Sequence, residues 1–291
     1  MFTGSIVALV TPMHADGSLD WAALEKLLDW HLQSGTDAVV IAGTTGESVV
    51  LTGSEYEQLL KVSVARIAGR CAVIAGCGGP ATAVVIKTTQ LAMQAGADGA
   101  LIVTPYYNRP PQSGLVAHYQ AVSDACDFPL ILYNVPARTG VDLCPDSVAR
   151  LCQRDNIVAL KEANPLAGRM PELVERFSDH LVLLSGDDPS ACESLLAGAS
   201  GVISVINNLI PASYAQMVKL ALAGDSKGAL ALDQSFQSLY TAAALSSNPI
   251  PIKWALYKLG KIGSGIRLPL LPLDESMRSE LDSALQTLKT L

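Results

Sequence analysis

The chain has 291 residues, 49% of them hydrophobic, and carries 20 basic against 27 acidic side chains for a net charge of -7 and a pI near 5.1. That length exceeds an ordinary single domain unless the fold is a barrel, and the acidic balance is the reverse of a nucleic-acid footprint; neither nucleic acid nor an anionic membrane is expected as a partner. No Lys or Arg precedes Lys26 and no apolar run is long enough to span a bilayer, so a soluble, cytoplasmic protein is expected.

In chain order, Ile6 to Val10 reads as the first strand. A helix follows over Asp20 to Ser34, with Leu24, Leu27, Leu28 and Leu32 on one face and a stop at Gly35. Ala38 to Ile41 is the second strand, after which Ser54 and Glu57 have capping-box spacing ahead of Leu59, Leu60 and Val62, opening a helix that ends at Gly69. The alternation continues with a strand at Ala72 to Ala75, a helix at Thr82 to Gln94, a strand at Ala100 to Val103 and a helix at Ser113 to Ala125. It runs on through strands at Leu130 to Tyr133, Ile157 to Lys161, Leu181 to Leu184 and Gly201 to Val205, followed by helices at Pro145 to Cys152, Met170 to Phe177, Pro189 to Ala197 and Pro211 to Ala223.

Strands apolar at every position, rather than at alternate ones, belong to a parallel sheet covered on both faces. Eight strand and helix units predict an α/β fold, a (β/α)8 TIM barrel over residues 1–224. The doubly wound alternative wants a glycine fingerprint after its first strand, where this chain has Thr11, Pro12 and Met13. After Gly224 and Asp225 helical periodicity takes over, with breaks at Asn248 to Pro251 and around Arg267 to Pro269. A small all-helical C-terminal domain is predicted over 225–291.

Six cysteines are scattered without a Cys-x-x-Cys pair, and His14, His31, His118 and His180 are equally dispersed. Buried thiols in a reducing compartment are expected, with no metal.

In a barrel, residues at the C-terminal tips of the strands converge on one mouth. Lys161 ends an apolar strand there. Burial would favour its neutral, nucleophilic amine, although it could instead pair with Glu162 or extend its head into water. Gly43 to Glu47 follows the second strand and offers hydroxyls and backbone N–H groups to a small carboxylate; a Thr-rich turn capping a short helix is the plainer reading. Tyr106 and Tyr107 follow the fourth strand, where paired tyrosines commonly serve packing or interfaces. Tyr133 tips the fifth, with Arg138 shortly beyond; these could be a core tyrosine and a surface ion pair.

Gly43 to Glu47, Tyr133 to Gly140 and Lys161 to Ala163 form an ordered set. On them, with Phe2 to Val7, Thr104 to Pro110, Leu184 to Asp188 and Asn248 to Trp254, the chain resembles the dihydrodipicolinate synthase family. That family lies within the class I, pyruvate-dependent aldolase superfamily, which also includes N-acetylneuraminate lyase.

The resemblance implies condensation of pyruvate with L-aspartate 4-semialdehyde, on the route to diaminopimelate and lysine, with pyruvate held as a Schiff base on Lys161 and no other cofactor. It assigns proton shuttling to Tyr133, relayed through Thr44 to Tyr107 of a neighbouring subunit. Thr45 would hold the pyruvate carboxylate, the main-chain carbonyls of Gly186 and Ile203 would line the opposite wall, and Arg138 would grip the semialdehyde carboxylate. Glu47 reads as a loop support. A homo-oligomer, a tetramer built from two tight dimers, is implied. The alternatives are an N-acetylneuraminate lyase or 2-keto-3-deoxy sugar acid aldolase using the same Schiff base, and a keto-acid-sensing barrel without turnover. Arg138 and Thr44 favour the first reading over the sugar acid enzymes.

One region departs from the family pattern. Lysine-inhibited relatives carry a carboxylate, an asparagine and histidines at a cleft between paired subunits, where this chain has Val84, Pro80, Gly53 and Tyr56. Weak or absent inhibition by lysine is therefore expected, because its ammonium would leave water unpaired. The loop Asn164 to Gly168 also departs from the usual form.

Overall fold

The computed structural model describes residues 2–287; Met1 and the last four residues of the predicted C-terminal domain lie outside that range. Eight parallel strands close into a barrel in sequence order: β1 (Gly4–Ala8), β2 (Ala38–Ile41), β3 (Ala72–Gly76), β4 (Gly99–Val103), β5 (Leu130–Asn134), β6 (Ile157–Glu162), β7 (Val182–Ser185) and β8 (Gly201–Ser204), with β8 pairing back onto β1. This is the expected (β/α)8 barrel.

Both strand faces are dry, which is why the strands read as unbroken apolar runs. Ile6, Ala38, Val40, Ile74, Leu101, Ile131, Ala159, Leu184 and Ile203 fill the barrel interior, while Val7, Val39, Val73, Ile102, Leu132, Leu160 and Leu183 pack outward under the helices. Burying each Val, Leu or Ile contributes roughly 1.5–3 kcal/mol, so a register slip would expose none of these faces to water but would misplace every group at the strand tips.

The helices between strands are Trp21–Gln33, Gly53–Ile67, Thr82–Gln94, Gln112–Ala125, Pro145–Leu151, Arg169–Phe177, Ala191–Leu196 and Pro211–Leu222, with a further turn of helix at Pro136–Thr139. Asp20 caps the first, its carboxylate accepting from Ala23 N–H at 3.0 Å. The second corrects the expected cap. Its capping box is formed by Thr52 and Glu55, not Ser54 and Glu57. Thr52 has an extended backbone, so its hydroxyl accepts from Glu55 N–H at 3.2 Å while the Glu55 carboxylate accepts from Thr52 N–H at 2.9 Å. Ser54 already lies inside the helix, where its own N–H is an orphan to be capped. The first strand also sits earlier than expected: Val10 has left the ladder and its N–H donates to Asn208 Oδ1.

From Ser226 onward the regular elements of the described chain are helices, Ser226–Ser235, Gln237–Ala243, Ile250–Lys258 and Glu275–Thr287, joined by turns and a longer irregular stretch over 259–274. Cis peptide bonds precede Pro249 and Pro269, at the two breaks in the pattern. Phe236, Leu239, Ile252 and Leu256 join the same apolar cluster as the barrel helices. The C-terminal helices thus share the barrel's outer core, and this anchors them beside its mouth. Among the described residues, no helix is long and apolar enough to cross a membrane.

Candidate active site

A cavity of about 330 Å³ opens at the C-terminal ends of the strands. Lys161 on β6 is the register partner of Tyr133 on β5, so both side chains project inward at the same height. The Lys161 ammonium nitrogen lies 4.2 Å from the centre of the Tyr133 ring. Side chains alternate along a strand, which sends the neighbouring Glu162 to the opposite face. There its carboxylate accepts from Asn134 Nδ2 at 2.9 Å and from Arg169 Nε at 3.0 Å.

That alternation disposes of the plainer readings of Lys161. It does not pair with Glu162, and at 4% exposure it does not extend into water. Among the described residues no carboxylate stands within ion-pair distance of it. Burial pulls its pKa down to about 8, with Asp188 opposing and Arg138 adding to the fall. At that value roughly a tenth of the amines are neutral at pH 7, against about one in a few thousand for an ordinary lysine. Burial likewise pushes the Tyr133 phenol up to about 12, so it holds its proton at neutral pH; Arg138 counteracts and Glu162 reinforces the rise.

The β2 loop brings Thr44 and Thr45 to the cavity wall. Its path needs two left-handed residues, Ala42 at φ 54° and Glu47 at φ 56°, and a close approach to β3. A β-carbon on Gly76 would fall 2.1 Å from the Ala42 carbonyl oxygen, so only glycine admits the turn there. Asn248 Nδ2 donates to Thr45 Oγ1 at 2.9 Å, reaching across from the C-terminal helices.

Arg138 also lines the cavity, is exposed, and among the described residues has no carboxylate within 4 Å. It is therefore a cation without a protein partner at the mouth, not the surface ion pair that the sequence left open. Gly186 follows β7 and packs against Lys161. Asp188, two residues on, accepts from the N–H groups of Val205 and Ile206 at 2.9 and 3.0 Å and from the Tyr214 hydroxyl at 2.9 Å. Burial raises its pKa against these bonds.

Six of the eight expected site residues thus share one cavity: Thr44, Thr45, Tyr133, Arg138, Lys161 and Gly186. Ile203 does not line it. Its side chain belongs to the fully buried barrel interior below, and Val205 and Ile206 take the wall position. Tyr107 stands outside this chain's cavity at 93% exposure, with a left-handed backbone. Among the described residues no hydrogen bond joins Tyr133 to Thr44.

Sequence reasoning overlooked Asp188, Tyr240 and Asn248 as cavity residues. Asp188 had a findable signal, a carboxylate just past a strand tip. Tyr240 and Asn248 come from the helical region, where periodicity marks a face and gives no hint of a distant loop.

A buried amine, a protonated phenol and an unpaired guanidinium around one cavity can attack a carbonyl, move its protons and hold an anionic tail. The family model described as the dihydrodipicolinate synthetase family matches residues 1–288. The chain is 49% identical over 281 residues to a 4-hydroxy-tetrahydrodipicolinate synthase of Alcanivorax borkumensis, covering 97% of this chain and 96% of that one. It is 47% identical over 291 residues to that of Saccharophagus degradans, covering both chains completely. Its structure superposes with a TM-score of 0.98, at 44% identity and complete coverage of both chains, on the chloride-inhibited dihydrodipicolinate synthase of Acinetobacter baumannii complexed with pyruvate. The dihydrodipicolinate synthase of Aquifex aeolicus gives a TM-score of 0.96 at 41% identity, covering 99% of this chain and 98% of that one.

Proposed function

The chain belongs to the dihydrodipicolinate synthetase family, and from that premise we infer that it condenses pyruvate with L-aspartate 4-semialdehyde to give 4-hydroxy-tetrahydrodipicolinate, a lyase reaction of lysine and diaminopimelate biosynthesis. The sugar acid aldolase alternative draws no support from these relatives. The observation that carries the reading is the buried, unpaired Lys161 facing Tyr133.

Neutral Lys161 Nζ attacks the pyruvate keto carbon. The resulting carbinolamine loses water, its hydroxyl leaving with a proton from Tyr133, and an iminium forms. The iminium draws electrons from the adjacent methyl group, which gives up a proton to the Tyr133 phenolate and leaves an enamine. The enamine carbon then attacks the semialdehyde aldehyde, and the new alkoxide takes a proton from Tyr133. The semialdehyde's own amine adds to the regenerated iminium carbon, passing a proton to Tyr133 and expelling Lys161 as the free amine as the ring closes. No further organic group or metal is required by this sequence. Tyr133 suits the donor steps because burial keeps it protonated.

In this reading Thr45 and its backbone N–H hold the pyruvate carboxylate, with Thr44 beside it and the Gly186 carbonyl opposite. Arg138 takes the semialdehyde carboxylate with its two-pronged donor fork. The proposed Ile203 carbonyl contact would have to be made through the main chain, since the side chain is buried below the cavity. The relay from Tyr133 through Thr44 would end on Tyr107 of a neighbouring subunit. The exposure of Tyr107, with Val49 and Val84 also exposed, supports a homo-oligomer; we propose a dimer of dimers in the cytoplasm. We likewise propose residues 1–224 as the catalytic barrel and 225–291 as a helical appendage on its outer core.

Steady-state turnover tests the substrate assignment. With pyruvate as donor, L-aspartate 4-semialdehyde should be turned over at least about a hundredfold faster than an uncharged sugar aldehyde, and Arg138→Met should erase most of that preference. Equal turnover of both acceptors would favour the sugar acid reading.

A further inference from the structure

The most deeply buried ion pair among the described residues lies outside the cavity. Lys253, on the C-terminal helix Ile250–Lys258, donates to the Glu47 carboxylate, with 4% and 2% of the two residues exposed. Glu47 is the left-handed residue that ends the β2 loop, two positions after Thr45. Its second carboxylate oxygen accepts from Arg267 N–H at 3.1 Å. Arg267 in turn donates to the Val50 and Gly17 carbonyls, each at 2.9 Å, and to Glu55. Asn248, from the same C-terminal region, reaches Thr45 directly.

Neither Glu47 nor Lys253 lines the cavity, so neither touches a substrate held there. A fully buried ion pair is also a poor source of stability, because desolvation offsets the attraction; a well-packed apolar pair could replace it. What the pair does supply is a fixed position. A left-handed non-glycine residue persists only where its surroundings over-determine it, and here those surroundings come from the C-terminal helices.

We propose that Glu47 and Lys253 are positioning residues: their buried pair, together with the Asn248 to Thr45 hydrogen bond, holds Thr44 and Thr45 in the geometry that receives the donor's carboxylate, so that the C-terminal helices set selectivity for a carboxylate-bearing ketone. This rests on the reading that Lys161 forms an imine with pyruvate beside Thr45. Glu47 and Lys253 act on the carboxylate end of the donor and leave the amine itself unchanged.

Borohydride trapping separates those two ends. Rates of reductive alkylation at Lys161 are measured with pyruvate and with acetone, a methyl ketone that lacks the carboxylate, in the intact protein and in the variants Lys253→Met, Glu47→Gln and the double variant. The pyruvate rate is expected to fall by about tenfold or more in each single variant, while the acetone rate changes by less than about twofold. The double variant should be no worse than the poorer single one, since both remove one contact. The pH midpoint of trapping, which belongs to Lys161, should not move. Equal loss of both rates would reveal a merely structural pair, and an unchanged ratio would equally overturn the proposal. Should the ion-pair variants fail to fold, Asn248→Ala leaves the pair in place and must lower the same ratio. Absence of pyruvate trapping in the unaltered protein would sink the functional reading itself, whereas trapping with a ratio preserved in all variants sinks only this inference.

Discussion

A β-carbon on Gly186 would stand 2.7 Å from Lys161 Cε and 3.0 Å from Lys161 Cγ, so the lysine's stem runs through space that only glycine leaves open. The residue after β7 therefore determines where the amine on β6 can point. Tyr133, its register partner on the other side, closes the opposite flank.

Gly186→Ala is accordingly expected to displace the Lys161 amine without unfolding the barrel. A misplacement of about 1 Å at the reacting atom can cost on the order of a hundredfold in rate. kcat/KM for pyruvate should fall by about that factor, while circular dichroism and the thermal midpoint stay near those of the parent. Retained activity would show that the lysine stem has another path.

The pH profile follows from the amine. Only neutral Lys161 attacks, and its pKa in the fold is about 8. kcat/KM for pyruvate should rise about tenfold per pH unit below that value and level off above it. Tyr133, held up near 12, should give no descending limb below about pH 10. A rise that continues unbroken past pH 10 would mean an ordinary, solvated lysine.

The same burial should make Lys161 a liability for stability. Its pKa is 10.5 in an unfolded chain and about 8 in the fold. Between those values the unfolded state binds more protons, so the stability of the parent protein should rise with pH across that window, and the penalty is fully present below pH 8. Lys161→Met removes the penalty. It should be more stable than the parent by roughly 1–3 kcal/mol at neutral pH in urea unfolding, with the difference shrinking above pH 8. A less stable variant would imply that the amine has a compensating partner.

Free L-lysine should inhibit weakly or not at all. Val84, Pro80 and Gly53 are exposed but offer no anion, and Tyr56 is buried with its hydroxyl against Cys77 Sγ at 3.2 Å. None of the four positions can pair with a lysine ammonium. Titrating L-lysine into the pyruvate and semialdehyde assay checks this, and an inhibition constant below about a millimolar would contradict it.

Much of this site was legible because a parallel barrel converts position in a strand into position in space. Lys161, Tyr133, Thr44 and Gly186 each follow or end an apolar run, and that alone places them on one rim. Period two, invisible in strands apolar on both faces, still governs which way a side chain points. It sends Lys161 inward and Glu162 outward, a distinction that residue types alone left open. The capping box was misread because two overlapping Ser/Thr and Glu spacings occur within six residues, and the backbone conformation of Thr52 decides between them. Asn248 and Lys253 were opaque for a different reason. Their partners Thr45 and Glu47 lie some two hundred positions away in the chain, and only the packing of the C-terminal helices on the barrel brings them together.

The most direct test of the account is to reduce the protein with borohydride in the presence of pyruvate and locate the adduct by peptide mass spectrometry. One reduced pyruvate should be found on Lys161, with activity lost in proportion, and none should form in Lys161→Met. An adduct spread over surface lysines, or full activity after Lys161 is replaced, would contradict the account.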